Sequence, residues 1–122
     1  MDVKFEELKG KVFNEVVVSE VRINFTSSNG SYALYHDQDC CEHVYIESID
    51  GDISKCLPGH EILEAYESYK NASDDDKCCE SCTWSFYVIR TMRDTFTIRF
   101  FGESNGYYSE EASLHRIDED KI

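Results

Sequence analysis

Apolar and polar positions alternate with a period of two along most of this chain, the spacing of strands with one dry and one wet face. The run from Val12 to Phe25 is β-branched or aromatic at its apolar positions, and Val21, Ile23 and Phe25 interleave with Arg22, Asn24 and Thr26. These residues predict strands. Ser27, Ser28, Asn29 and Gly30 predict a turn, Asn-Gly being a strong hairpin dipeptide, with Ser31 to Tyr35 as the returning strand. A further strand is predicted over Val44 to Ile49, ended by Asp50 and Gly51. Asp52 then caps one helical turn through Cys56, which Pro58 and Gly59 close. Glu61 to Lys70 fits both periods, with Ile62, Tyr66 and Tyr69 on a helical stripe or Leu63, Ala65, Glu67 and Tyr69 along a strand, and is read as a strand.

The clearest pattern is Thr83 to Gly102. Trp84, Phe86 and Val88 share one face, Met92, Arg93 and Asp94 form a turn, and Phe96, Ile98 and Phe100 continue that face, which predicts a hairpin forming the main wall of the core. The opposite face, with Thr83, Ser85, Tyr87, Ile89, Thr97, Arg99 and Phe101, is mixed, as expected beneath another element or at an interface. Residues 71–82 are acidic and aperiodic and read as a solvated loop. Glu103 to Gly106 turn the chain into a last strand with Tyr108, Ala112 and Leu114 inward, and Asp118 to Ile122 form a fraying tail. The pattern as a whole predicts a single β-rich α+β domain over residues 1–122. Its expected form is a twisted antiparallel sheet or partly closed barrel with one or two short helices.

Charge narrows the classes of partner. The 122 residues include 25 Asp and Glu against 12 Lys and Arg, a net charge of −13, which opposes direct binding of nucleic-acid phosphates and favours a basic or neutral partner. No apolar run approaches the length of a membrane span, and the acidic start of the chain lacks the apolar core of a signal peptide, so the protein is read as cytosolic. With six cysteines and a reducing compartment, free thiols or metal ligands are expected in preference to disulfides.

Candidate chemistry centres first on the polar knot between two strand signals: His36, Asp37, Gln38, Asp39, Cys40, Cys41, Glu42 and His43. Cys40, Cys41, His36 and His43, with Cys79 and Cys82, are of the right type for zinc, but one pair at knuckle spacing and two adjacent cysteines make a poor tetrahedral set. No metal or cofactor is therefore expected, with zinc as the alternative. A thiol nucleophile at Cys40 or Cys41, served by His36 or His43 and oriented by Asp39, has the right residue types, yet catalytic members usually converge from separate segments. Asp74, Asp75 and Asp76 would serve acidic mimicry of nucleic acid. Arg22, Arg90 and Arg99 beside aromatic strand residues would serve an anionic ligand such as a nucleotide, with Tyr87, Phe101, Tyr107 or Tyr108 stacking its base and Asn105 adjoining them. Against this stands the plainer reading, in which the arginines pair with surplus carboxylates and the tyrosines fill the core.

The chain resembles a family of small uncharacterised proteins encoded by bacteriophages and prophages. The resemblance spans about residues 10–114. It rests on Tyr35-His36 followed by Gln38-Asp39-Cys40-Cys41-Glu42, on Ile49-Asp50-Gly51-Asp52, on Ile62-Leu63-Glu64-Ala65, on Thr83-Trp84-Ser85-Phe86-Tyr87, and on the run from Thr97 to Glu110 that contains Ser104-Asn105-Gly106-Tyr107-Tyr108-Ser109. Cys78, Cys79 and Cys82 depart from its pattern. The resemblance implies phage origin and no mechanism. The expectation is a non-enzymatic protein of the host-cell cytosol that binds and disables a host protein, in counter-defence. That partner would carry a basic or nucleic-acid-binding surface, and no membrane is involved. Sequestration of a nucleotide signal is the second expectation, a metal- or thiol-dependent enzyme the third, and exposed apolar sheet residues suggest a homo-oligomer.

Overall fold

The computed structural model describes residues 2–28, 30–37, 42–71, 81–104 and 111–117. Its strands are β1 (Asp2–Val3), β2 (Glu15–Val18), β3 (Arg22–Ser27), β4 (Gly30–Tyr35), β5 (His43–Asp50), β6 (Glu64–Asn71), β7 (Ser81–Arg90), β8 (Thr95–Ser104) and β9 (Ser113–Ile117). Among the described residues helix is reduced to a 3-10 turn at Phe5–Leu8 and a single α-turn, α1, at Ile53–Cys56. The α+β expectation is therefore corrected to a β fold. Period-two patterning leaves no segment with the length or stripe a packed helix needs. Asp52 precedes α1 as predicted, but its side chain accepts from Ser54 Oγ at 3.0 Å and caps no backbone amide.

All the strand pairs are antiparallel, and they form two sheets, not one: five strands in the order β1-β9-β4-β3-β2, and four in the order β5-β8-β7-β6. Neither closes into a barrel. The sheets share one core, to which the first gives Val16, Ile23, Phe25, Tyr32, Leu34 and Leu114 and the second Val44, Ala65, Tyr87, Ile89, Phe96, Ile98 and Phe100. Two features join them at their margins: Ile46 N donates to Glu20 O at 2.9 Å, and the chain at Gly10 and Lys11 exchanges bonds with Ile62. Phe5 of the 3-10 turn closes one side, its ring edge-on to Tyr87 at 5.3 Å.

The predicted hairpin exists, with its first strand turned over. Tyr87 lies opposite Ile98, Ile89 opposite Phe96 and Ser85 opposite Phe100, so Ser85, Tyr87 and Ile89 point into the core while Trp84, Phe86 and Val88 point out. Loop length decides this. A three-residue turn over 92–94 would set Val88 opposite Ile98. The chain instead uses four residues, Thr91 to Asp94, in which Thr91 N donates to Asp94 O at 2.9 Å and Thr91 Oγ1 accepts from Asp94 N at 3.2 Å. One residue of loop shifts the register by one and reverses every side chain of the strand.

The other strand predictions hold in outline. Val21 to Phe25 falls in β3, with Ile23 and Phe25 buried, and Glu61 to Lys70 is resolved as a strand by β6. Ser27 pairs with Gly30, which opens β4 at φ +142° instead of occupying a loop position.

Candidate functional site

The reversed strand gives the outer face of the four-stranded sheet an unexpected set of side chains. Register places them in rows across β6, β7, β8 and β5. One row carries Lys70, Trp84, Phe101 and Tyr45, the next Ser68, Phe86, Arg99 and Ser48, and a third Tyr66, Val88, Thr97 and Asp50. Trp84 meets Phe101 at 4.6 Å between ring centroids, Phe101 meets Tyr45 at 5.9 Å, and His43 lies 4.9 Å from Tyr45. Phe101 is buried within this second, smaller apolar cluster, Trp84 and Tyr45 are half-buried, and Tyr66 is exposed.

Arg99 sits at the centre of the face. Its guanidinium lies 5.6 Å from the Phe86 ring centroid, donates to Ser48 Oγ at 2.9 Å and pairs with Glu47 at 3.6 Å. The bulge between Ile46 and Ser48 makes this possible, because one extra residue in β5 brings both Glu47 and Ser48 within reach of Arg99. Arg90 pairs with Glu64 at 3.1 Å, and that hydrogen-bonded partner holds the Glu64 carboxyl below its ordinary range. Both arginines thus have local carboxylate partners, as the plainer reading of the sequence has it. The outer face is an aromatic centre flanked by Glu47, Asp50, Glu64 and Glu103.

The remaining sequence candidates separate. Tyr87, expected to stack a ligand, is fully buried, and its hydroxyl donates to the Ala112 carbonyl at 2.5 Å. Burial pushes its pKa well up. Arg22 lies on the outer face of the five-stranded sheet, its guanidinium 4.6 Å from the Tyr35 ring centroid and its Nε donating to Asn24 Oδ1 at 2.7 Å. Tyr35 in turn stacks on His115 at 4.1 Å, and His115 Nδ1 lies 2.7 Å from Asp2. Among the described residues Arg22 has no carboxylate within ion-pair distance, and it borders an open pocket of about 460 Å³ with Glu15, Val17, Asn24 and Ile117.

Of the metal candidates, His43 is largely exposed and faces Glu103 at 3.9 Å. Cys82 is disulfide-bonded and buried, which corrects the expectation of a free thiol or metal ligand there, whereas Cys56 is free. His36, considered as a base for a thiol, is held by a hydrogen bond on one side of its ring. Its Nδ1 bonds the Glu111 carbonyl at 2.8 Å, and its Nε2 faces Glu42 at 3.7 Å, both side chains being buried. The pair faces across from the end of β4 to the start of β5. Cys40, Cys41, Cys79, Asp74, Asp75, Asp76, Asn105, Tyr107 and Tyr108 lie outside the described residues.

Sequence reasoning passed over Trp84, Phe86, Tyr66 and Tyr45 as surface residues. The signal that would have found them is the capacity of Thr91 to close the β7–β8 loop through its hydroxyl, which lengthens that loop by one.

No curated protein and no solved structure matches this chain. A family model does match, over residues 6–114, a span that includes nearly every described strand, and the chain belongs to the family described as Domain of unknown function (DUF7448).

Proposed function

We propose that this chain is a non-enzymatic binding protein whose contact surface is the outer face of the four-stranded sheet. The observation that carries the reading is the aromatic centre of Tyr45, Trp84, Phe86 and Tyr66 within a rim of Glu47, Asp50, Glu64 and Glu103. Aromatic residues concentrated within a polar rim are the composition of protein interfaces. A net charge of −13 selects a basic partner, one that presents arginine or lysine to the carboxylates and to the ring faces. The sequence resemblance supplies the setting: a phage protein that occupies a host protein's basic or nucleic-acid-binding surface in the bacterial cytosol, as a counter-defence inhibitor.

The test is affinity capture from bacterial lysate with the parent chain and with Tyr66→Ala and Phe86→Ala, whose folding is checked by thermal melts. A basic protein is expected to be retained at low salt, released as salt rises, and lost with both variants. Retention that survives both substitutions in folded protein would sink the assignment of this face.

A second reading, sequestration of a nucleotide, draws on Arg22, whose guanidinium borders an open pocket without a carboxylate partner among the described residues. Mass spectrometry of heat-released material is its test, with a nucleotide expected from the parent chain and none from Arg22→Gln.

A further inference from the structure

The charge of the molecule is strongly negative, yet one of its open pockets is lined, among the described residues, without a carboxylate. This pocket, about 300 Å³, lies where the segment after the 3-10 turn meets the β3–β4 hairpin and the end of β9, and it is bordered by Gly10, Lys11, Val12, Ser27, Tyr32 and Arg116 among others. The pocket beside Arg22 includes Glu15, and that beside His43 includes Glu20 and Glu103. Two cations therefore converge here from segments far apart in sequence, in a site that the rest of the surface would be expected to make acidic.

The surrounding polar groups leave those cations to a ligand. Gly10 N already donates to Ile62 O at 2.7 Å, Lys11 N to Leu8 O at 3.1 Å and Ser27 Oγ to Gly30 O at 2.6 Å. The Tyr32 hydroxyl donates to Glu7 at 2.8 Å. The Lys11 ammonium stands 5.7 Å from the Tyr32 ring centroid, held over an aromatic face and not over an acid. Neither Lys11 nor Arg116 has an ion-pair partner among the described residues. Gly10 and Gly30 add no side chain to the wall, and a Cβ at either would meet nothing within 4 Å.

We propose that this pocket binds the phosphate group of a small molecule, with Lys11 and Arg116 as its two charge partners. A dianion answers two cations lining one pocket, where a carboxylate would satisfy one. Arg116 supplies a planar fork of donors and Lys11 a compact point charge, a combination suited to phosphate oxygens. The exposed side chain of Val12 provides an apolar flank for whatever carries the phosphate. The inference does not depend on the protein-binding face, which lies on the other sheet.

The experiment uses the whole chain at low salt, titrated with inorganic phosphate and with phenyl phosphate and followed by amide chemical shifts. Saturable shifts centred on Gly10, Lys11, Gly30 and Arg116 are expected. Lys11→Gln and Arg116→Gln should each weaken binding by about tenfold, the loss of one charged contact, while Arg93→Gln, in the exposed loop of the other sheet, leaves it unchanged. Tighter binding of phenyl phosphate identifies a phosphate ester as the source, and equal affinity identifies free phosphate. Unsaturable shifts, or affinities indifferent to both substitutions in variants that melt like the parent, would overturn the site.

Discussion

Gly51 shows how a single residue can be required twice over. Its φ of +93° is a region where an L side chain is strained, and a Cβ there would stand 2.9 Å from Cδ1 of Phe96, a ring buried in the core with little room to give. Gly59 has a similar φ of +85° but open space around it. Gly51→Ala should therefore lose about 3 kcal/mol, backbone strain plus overpacking, and Gly59→Ala about 1 kcal/mol from the backbone alone. Urea denaturation of the two variants separates the contributions, and equal losses would show that Phe96 yields freely.

Tyr32 makes a prediction about alkaline pH. Burial, followed by its hydrogen bond to Glu7, pushes its pKa from the ordinary 10 up to about 12. The folded state thus favours the neutral phenol more than the unfolded state does. Its contribution is fully present below pH 10 and is lost as pH rises from 10 towards about 12. Tyr32→Phe should flatten the fall of unfolding free energy across that window, measured by denaturant titration at successive pH values. An unchanged slope would mean that Tyr32 keeps its proton equally well in both states.

The cysteines make a third residue-scale prediction. Cys56 is a half-buried free thiol and Cys82 is disulfide-bonded. Alkylation of unfolded protein should label Cys56 with or without prior reduction, and Cys82 only after it, as peptide mass mapping would read. Labelling of Cys82 without reductant would contradict the disulfide.

At the scale of elements, the hairpin of β7 and β8 depends on the parity of its loop. Met92 at the loop's tip is 85% exposed and contributes nothing to the core, so its substitution by Ser should change stability by less than about 0.5 kcal/mol. Deleting it is a different matter. A three-residue loop could keep Arg90 opposite Thr95 only by giving up the Thr91–Asp94 closure, and a two-residue loop of Arg93 and Asp94 would set Val88 opposite Ile98, turning Tyr87 and Ile89 towards solvent and forfeiting roughly 1.5–3 kcal/mol for each large apolar side chain expelled. The deletion should abolish the cooperative melt that the substitution leaves intact. A deletion variant with parental stability would show that the sheet opposite, and not the loop, chooses the face.

The edge elements carry a related lesson. β1 and β2, the margins of the five-stranded sheet, are two and four residues long, whereas β5 and β6, the margins of the four-stranded sheet, each run to eight. Short edges offer little template for another strand. β6 is interrupted by Glu64, Glu67 and Lys70, charges of the kind that discourage edge-to-edge pairing.

For the whole molecule the governing quantity is a net charge of −13 on a single core. Self-repulsion among surface carboxylates opposes compaction, and salt screens it over a distance of about 8–10 Å. Raising ionic strength from low to physiological should stabilise the free protein by about 1 kcal/mol while weakening its capture of a basic partner. Thermal melts and capture at matched salt read the two effects together. If both moved in the same direction, surface charge would not be the common cause.

Much was legible in the residues alone. β-branched and aromatic alternation placed β3, β4, β5 and β8, and the inward triplet Phe96, Ile98 and Phe100, because burial of one strand face demands that period whatever lies opposite. The acidity also follows from composition. Other features depended on the tertiary structure, since a period of two carries no phase of its own. Whether Tyr87 or Trp84 faces the core is set by a loop one residue longer than its composition suggests. The division of nine strands between two sheets is set by which faces can bury one another. Equally, the engagement of Arg90 and Arg99, and the lack of an ion-pair partner for Lys11 and Arg116 among the described residues, follow from which carboxylates folding brings within reach, and spacing along the chain holds no record of that.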